Sequence, residues 1–250
     1  MNNNLTELVF VLDRSGSMHG PEKDTIGGFN RLLEQQCSAD GEARVTAVLF
    51  DDRYELLYDN VDIRSVPPLT EKEYFARGTT ALLDAVGKTI DAVGERLAAT
   101  PEEERPAKVI FAITTDGLEN ASRYYSLGQV KEMIEHQKNK YSWEFLFYGA
   151  GIDAVHSARE IGISADKAMR IAADSEGIRE SYSCMSEMIS EFRMPRIRKR
   201  ILPTEETNKE DKSTNVIVLV VQDKENEAGF IVEKLLGEQE ILHKSLPAPL

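Results

Sequence analysis

The stretch VFVLDRSGSMHG, from Val9 to Gly20, decides the fold. Four apolar residues run into an aspartate, and two serines follow it at alternate positions. An unbroken apolar run that ends at a glycine-bearing turn is typical of a strand buried on both faces, as in a parallel sheet covered by helices. Polar side chains at the end of such a strand have few structural roles, so Asp13, Ser15 and Ser17 are the first candidate functional residues.

Apolar runs alternate with helical patterns along the chain as far as residue 195. The segment ARVTAVLFDDRYELLYDNVDI predicts a hairpin, because two β-rich runs flank Asp51 and Asp52. Later, KVIFAITTDG repeats the opening design, with an apolar strand that runs into an aspartate and a glycine. This order predicts an α/β fold with a doubly wound, mostly parallel sheet and one antiparallel edge strand.

Two features near the opening motif suggest close packing or function. Gly27 and Gly28 interrupt the first helical pattern, at a cost of about 1 kcal/mol each relative to alanine. They predict that the start of this helix lies close to backbone or to a ligand. Residues 63–78, IRSVPPLTEKEYFARG, are a predicted loop with two prolines, and its length also suggests a function.

The sequence predicts three segments. Residues 1–195 form the main domain, residues 196–214 a basic stretch and polar linker, and residues 215–250 a short C-terminal extension. The linker, PTEETNKEDKST, lacks residues that could build a core. The apolar runs NVIVLVV and FIVEKLL behind it suffice for a hairpin, or for a strand and helix, but not for an independent domain.

Composition argues against several classes of protein. A net charge of −13 argues against nucleic acid as a partner, since phosphate binding requires a basic face. The apolar runs are far shorter than the roughly 20 residues that span a bilayer, so we expect no membrane partner. The N-terminus lacks the features of a signal peptide, which predicts a cytoplasmic location. Cys37 and Cys184 lie far apart and are expected to be free thiols.

The basic stretch RMPRIRKR, residues 193–200, stands out in this acidic chain. Its plainer interpretation is the end of a helix, where cations offset the negative end of the helix dipole. The alternative is a docking patch for an acidic partner. The sequence leaves both interpretations open.

Polar residues that could bind a metal ion recur where predicted strands end. Asp13, Ser15, Ser17 and Asp116 lie at such ends, and Thr80 opens the helix between the two strands. In open α/β sheets, ligands bind outside the carboxyl ends of the strands. Two carboxylates and three hydroxyls are hard oxygen donors, which favour Mg²⁺ or Mn²⁺ over zinc. Each residue alone could be a turn former or a helix cap, but the five together predict a metal site.

The motifs DRSGSM, GTTALLDA and TTDG resemble those of the von Willebrand factor type A (vWA) domain with its metal-ion-dependent adhesion site, or MIDAS. The family signature is D-x-S-x-S, followed by a distant threonine and a distant aspartate. Asp13, Ser15 and Ser17 match the first element, Thr80 the second and Asp116 the third. The threonine is placed at 80 because the family residue stands directly before an alanine and a leucine.

The resemblance, which is to stand-alone bacterial members of the family, implies a metal-dependent protein-binding module without catalysis. It implies an ion held by the hydroxyls, often through water by the aspartates, with one coordination position left for a carboxylate from a partner protein. Neutral hydroxyl ligands leave much of the charge of the ion uncompensated. An acidic side chain of the partner would therefore complete the site, even on an acidic protein.

Two other functions are kept as alternatives. Family members often work beside ATPases or kinases, so the chain could be a regulatory or scaffold subunit that binds through the basic patch and the tail. A metal-dependent hydrolase is less favoured. Aspartyl phosphatases need a second acid where Ser15 stands, the segment GKT lacks a P-loop glycine at position 82, and Ser17 lies outside a G-x-S-x-G motif.

Overall fold

The computed structural model describes residues 1–116, 118–150, 154–172, 174–194, 196–201, 217–223 and 226–232. The chain divides into two compact units, Met1–Arg193 and Met194–Leu250. Within the described residues, no helix combines the length and the apolar character needed to cross a bilayer.

The first unit is built on a six-stranded sheet. Its strands are β1 (Asn2–Asp13), β2 (Glu42–Phe50), β3 (Tyr54–Asp62), β4 (Pro106–Thr115), β5 (Glu144–Ala150) and β6 (Ala168–Ile171). They lie in the order β3-β2-β1-β4-β5-β6, and every neighbouring pair is parallel except β2 and β3. The predicted doubly wound α/β sheet with an antiparallel edge strand is confirmed.

Helices cover both faces of this sheet. They are α1 (Glu22–Ser38), α2 (Leu82–Ala99), α3 (Leu127–Tyr141), α4 (Ala154–Glu160) and α5 (Ser175–Arg193). The apolar sides of α1 and α5 pack in one core cluster, and those of α2, α3 and α4 pack in the other. Short 3₁₀ turns at Gly16–Met18, Ile63–Ser65, Glu102–Glu104 and Ala165–Lys167 complete the unit.

Strand β1 lies in the interior of the sheet, and its side chains alternate between the two cores. Val9 and Val11 point into the α2 side, whereas Phe10 and Leu12 point into the α1 side, and all four are fully buried. Phe10 meets Phe29 of α1 edge to face, with ring centroids 5.1 Å apart. The unbroken apolar run in the sequence is the consequence of burial on both faces.

The two glycines of α1 have different surroundings. A Cβ at Gly28 would lie 2.4 Å from the ring of Tyr182 in α5, so only glycine allows this approach of the two helices. A Cβ at Gly27 would meet no atom within 4 Å. The expectation of nearby backbone or ligand is corrected: Gly28 packs against an aromatic side chain.

The second unit contains a three-stranded antiparallel sheet. Its strands are β7 (Arg196–Ile201), β8 (Ile217–Asp223) and β9 (Asn226–Val232), in the order β7-β8-β9. The basic stretch is therefore a paired strand, whereas the preceding helix ends at Arg193, and the helix-end interpretation of residues 196–200 is corrected. β8 and β9 form the hairpin expected in the extension. The predicted linker, residues 203–214, lies outside the described residues.

Candidate metal centre

The candidate metal centre lies between β1 and β4, at the point in the sheet where the order of the strands reverses. β1 and β4 are adjacent and parallel, with Leu12 paired to Thr114, so Asp13 and Thr115 end side by side. From β1 the chain crosses one face through α1 to β2, and from β4 it crosses the other face through α3 to β5. Such a reversal leaves a crevice at the carboxyl ends of the strands, which is where open α/β sheets bind ligands.

Direct hydrogen bonds join four of the five predicted ligands. The Ser17 hydroxyl donates to Asp116 Oδ1 at 2.5 Å, and the Ser15 and Ser17 hydroxyl oxygens lie 3.0 Å apart. The backbone N–H of Ser15 donates to Asp13 Oδ1 at 2.6 Å. The alternate serines are therefore the physical link between the ends of β1 and β4.

Backbone hydrogen bonds hold Thr80 and its neighbours close to the ends of β1 and β4. Its N–H donates to Asn120 Oδ1 at 3.0 Å, and its carbonyl accepts the N–H groups of Asn120 and Ala121, which follow β4. Two residues earlier, the carbonyl of Gly78 accepts the N–H of Gly16 at 3.1 Å, beside Ser15 and Ser17. The Thr80 side chain is buried, and its hydroxyl forms no hydrogen bond with any residue that the structure describes.

Helix α2 is not capped by Thr80, contrary to one plain interpretation of that residue. The helix begins at Leu82 with Ala81 as its N-cap, and Ala81 has no side chain that could cap. Instead, the N–H of Leu83 donates to Glu119 Oε2 at 2.9 Å, and the N–H of Asp84 donates to the Ser122 hydroxyl at 3.0 Å. The loop after β4 therefore supplies the cap, which leaves the Thr80 hydroxyl free of that role.

The two carboxylates of the centre are held in an unfavourable setting for negative charge. Burial raises the pKa of Asp13, the charge of Asp116 adds to that rise, and donors from Thr115 and Ser15 oppose it. Burial also raises the pKa of Asp116, against the hydrogen bond from Ser17. Within the described residues, no arginine, lysine or histidine forms an ion pair with either carboxylate. A bound cation would offset this cost, so the residues fit the predicted ion.

Two further residues hold Asp13 and were missed from the sequence. The Thr115 hydroxyl donates to Asp13 Oδ2 at 2.5 Å, and the Tyr74 hydroxyl donates to the Asp13 carbonyl at 2.6 Å. The position of Thr115 directly before Asp116 could have indicated the first contact. The length of the loop that contains Tyr74 was the only signal for the second.

Arg14 lies inside the D-x-S-x-S motif and is 1% exposed. Its Nε donates to Asp51 Oδ2 at 3.0 Å, and Arg77 Nε donates to the same oxygen at 2.6 Å. Its two terminal nitrogens donate to the Glu73 carbonyl at 3.0 Å and to Glu55 at 2.6 Å. Burial opposes the ionised form of Asp51, but these arginines and the N–H of Arg53 hold its pKa below the usual range. Through these contacts, Arg14 and Asp51 hold the loop of residues 66–78 against the D-x-S-x-S motif.

The loop of residues 118–126 is fixed by two other carboxylates. Glu119 Oε1 accepts the N–H groups of Ala121 and Ser122, at 3.0 and 2.8 Å. Asp84 of α2 accepts the three successive N–H groups of residues 123–125, each at 2.8 Å. Both carboxylates have their charge spread over several donors, so the backbone of this loop has a defined conformation.

The donor set of the centre lacks the histidine and cysteine ligands that are typical of protein zinc sites. Within the described part of the chain, no group of three or more histidine, cysteine, aspartate or glutamate side chains converges. The centre instead offers two carboxylates and three hydroxyls, which are hard donors suited to Mg²⁺ or Mn²⁺. The nearest histidine in sequence, His19, is 84% exposed and contacts Glu22.

Solved structures with a similar fold come from proteins with little sequence similarity. Proximal thread matrix protein 1 (PTMP1) from the mussel byssus matches at a TM-score of 0.51 and 13% identity, over 74% of this chain and 46% of that one. A second crystal form of PTMP1 matches at a TM-score of 0.50 and 14% identity, with the same coverage. The first unit has the fold of a vWA domain. The match spans less than half of PTMP1, and at this identity it shows the fold alone.

A third structure of PTMP1, described as having a zinc-occupied MIDAS motif, matches this chain at a TM-score of 0.49 and 16% identity over 74% of the chain and 46% of PTMP1. No protein-family model matches the sequence, and no curated protein matches it significantly. The evidence for a metal site in this chain is therefore the geometry of its own residues.

Proposed function

We propose that this vWA domain is a divalent-metal-dependent protein-binding module. Asp13, Ser15, Ser17, Thr80 and Asp116 would hold a Mg²⁺ or Mn²⁺ ion. When bound, the ion would supply a coordination position and an uncompensated positive charge for an acidic side chain of a partner protein. The cytoplasmic location and the stand-alone bacterial character stay predictions.

The observation that carries the proposal is the hydrogen-bonded connection from Asp13 through Ser15 and Ser17 to Asp116. It unites residues from two strand ends, and its longest step along the chain joins Ser17 to Asp116, 99 positions away. The order and the residue types are those of the MIDAS signature. The buried carboxylate of Asp13 and the half-buried one of Asp116 also lack a cationic partner within the described residues, and a structural cluster would be expected to have one.

We also propose that the domain has no catalytic activity. The hydroxyls of Ser15 and Ser17 contact each other and Asp116, and neither has a histidine as a hydrogen-bond partner in the described part of the chain. His19, two residues away, faces Glu22 in solvent. A serine nucleophile needs an oriented base within hydrogen-bond reach, so this arrangement favours binding over hydrolysis.

Thermal unfolding in EDTA and in Mg²⁺ tests the metal site. An ion at a hundredfold excess over its dissociation constant stabilises the bound state by about 2.7 kcal/mol. For a domain of this size, that stabilisation raises the Tm by roughly 5–10 °C. The wild type should show this rise, and Asp116→Asn, which retains the shape of the side chain and an acceptor for Ser17, should lose it.

Glu34→Gln is the matched control, because it removes one negative charge from an exposed position of α1. It should respond to Mg²⁺ as the wild type does. If Mg²⁺ and Mn²⁺ leave the wild-type Tm unchanged, or raise the Tm of Asp116→Asn equally, the ion does not bind at this centre and the proposal is wrong.

A further inference from the structure

Large exposed apolar side chains concentrate around the candidate metal centre. Within the described residues, eight such side chains are exposed, and four of them lie at the carboxyl-end edge of the sheet. These four are Phe75, Leu118, Tyr124 and Leu127. Leu118 is 76% exposed and Tyr124 is 82% exposed, far more than a side chain that covers a core. Such a concentration of apolar groups at one edge marks an interaction surface.

Phe75 lies on the β2 side of the centre. Its ring is 5.7 Å from the guanidinium carbon of Arg14 and 5.1 Å from that of Arg77, and both arginines bind Asp51 at the end of β2. The neighbouring Tyr74 donates its hydroxyl to the Asp13 carbonyl. The exposed ring is therefore held in a fixed position beside the centre.

Leu118 and Tyr124 lie on the opposite side, in the 118–126 loop that follows Asp116 and β4. The backbone N–H groups around them are bound by Glu119 and Asp84. A loop with a fixed backbone loses little conformational entropy when it binds a partner. Tyrosine is enriched in interface hot spots, so Tyr124 on such a loop is suited to anchor a partner segment, and Leu118 adds exposed apolar surface to the same loop.

The charge of this edge also favours an acidic partner. Arg123 is exposed on the 118–126 loop and forms no ion pair within the part of the chain that the structure describes. The candidate centre would add the charge of a divalent ion. Both features differ in sign from the chain as a whole, which has a net charge of −13. With the ion bound, the surface would therefore be complementary to a negative segment.

We propose that Phe75, Leu118 and Tyr124 form a specificity surface that selects a protein segment with a carboxylate flanked on both sides by large apolar side chains. β1 lies between β2 and β4, Phe75 packs on the arginines that bind Asp51 after β2, and Leu118 follows β4, so we infer that the two side chains stand on opposite sides of Asp13. The carboxylate reaches the metal centre while the flanking side chains cover the two anchors. This inference rests on the proposed metal-dependent binding and adds the chemistry of the partner.

An immobilised peptide array tests the inference with the full chain. The peptides have the form Gly-Gly-X-Asp-Z-Gly-Gly, where X and Z are glycine, leucine or phenylalanine, and each has a counterpart with asparagine in place of aspartate. Binding is measured in Mg²⁺ and in EDTA. In Mg²⁺, the apolar-flanked aspartate peptides should bind about tenfold or more tightly than the glycine-flanked one, because they bury apolar surface on both sides.

Two pairs of variants locate the surface. Leu118→Ser and Tyr124→Ser should reduce the apolar preference to about twofold. Their matched controls are Leu56→Ser on the edge strand β3 and Tyr141→Ser at the end of α3, where the side chains are 47% and 48% exposed. The controls should keep the preference, and all four variants should keep the Mg²⁺-induced rise in Tm.

Equal binding of glycine-flanked and apolar-flanked aspartate peptides in Mg²⁺ would overturn this inference and leave the metal-dependent function standing. The same holds if the preference survives both Leu118→Ser and Tyr124→Ser. Equal binding of aspartate and asparagine peptides, unchanged by EDTA, would instead contradict the metal-dependent function. No binding to any peptide would overturn the inference, while the Tm measurement decides the metal site separately.

Discussion

The ion pair between Arg14 and Asp51 is fully buried, so its loss has a large predicted cost. Their side chains are 1% and 0% exposed. Asp51→Asn keeps the shape of the side chain and an acceptor for the N–H of Arg53, but it removes the charge. Removing one partner of a buried pair typically costs about 3–5 kcal/mol, because the other charge stays buried.

The surroundings of Arg14 place the expected cost near the lower end of that range. Glu55 still contacts the guanidinium at 2.6 Å, although its side chain is 48% exposed and its charge is partly screened by water. Arg77, which also loses Asp51, is 35% exposed and can be hydrated. We expect the free energy of unfolding to fall by about 3 kcal/mol and the Tm to fall by roughly 6–12 °C.

Urea unfolding followed by circular dichroism measures this effect, with Asp52→Asn as the matched control. Asp52 is 48% exposed, and its ion pair with Arg53 is 3.9 Å long, so its loss should change stability by less than about 0.5 kcal/mol. If Asp51→Asn is as stable as Asp52→Asn, the buried pair does not stabilise the fold. The double variant Arg14→Met with Asp51→Asn should be less destabilised than the sum of the two single variants, and strict additivity would contradict direct coupling.

Three further predictions follow from single residues. Gly27→Ala should raise the free energy of unfolding by about 1 kcal/mol, whereas Gly28→Ala should lower it by about 1–3 kcal/mol through overlap with Tyr182; similar urea midpoints for the two variants would contradict this packing. The pKa of Asp51 is lower in the folded state, so the ionised carboxylate stabilises the fold above the unfolded pKa, and this contribution disappears as the pH falls through the folded pKa. The difference in stability between the wild type and Asp51→Asn should therefore shrink on acidification. A constant difference from pH 7 to pH 3 would refute this prediction. Burial raises the pKa of Asp116, which means that the ionised carboxylate destabilises the folded state at neutral pH. In EDTA, Asp116→Asn should therefore have a higher Tm than the wild type, although it loses the response to Mg²⁺. A lower Tm of Asp116→Asn in EDTA would show that the carboxylate is not destabilising.

The sequence was sufficient for the sheet and for the order of the candidate ligands, because both depend on local patterns. The apolar run before Asp13 indicates a strand buried on both faces, and the structure confirms it. Because β1 and β4 are neighbours, Ser17 contacts Asp116 after β4, and Ser15, two residues earlier, contacts Ser17. Local patterns are enough here, since strand ends at a reversal point always meet at one edge.

The sequence could not predict the contacts that fix the loops, because they join residues far apart along the chain. Arg14 is a charged residue at a turn and would be expected in solvent, yet it is buried against Asp51 and Glu73, which lie 37 and 59 positions away. The cap of α2 comes from Glu119 and Ser122 rather than from a residue directly before the helix. No periodicity or spacing rule contains such pairings.

The buried and half-buried carboxylates at this edge of the sheet fall into two groups, and the difference supports the metal site. Asp51 is neutralised by two arginines. Asp84 accepts three N–H groups of the 118–126 loop, and Glu119 accepts N–H groups of the same loop and of Leu83 at the start of α2. Asp13 and Asp116 lie at the same edge, yet within the described residues they have hydroxyl and amide donors and no cation. A fold that balances the other three charges and leaves these two without a cationic partner fits the proposed binding of an external cation there. Because that cation would be held mainly by neutral hydroxyls, it would retain charge for a partner's carboxylate, and the rigid loops on either side would present the apolar residues that contact the rest of that partner.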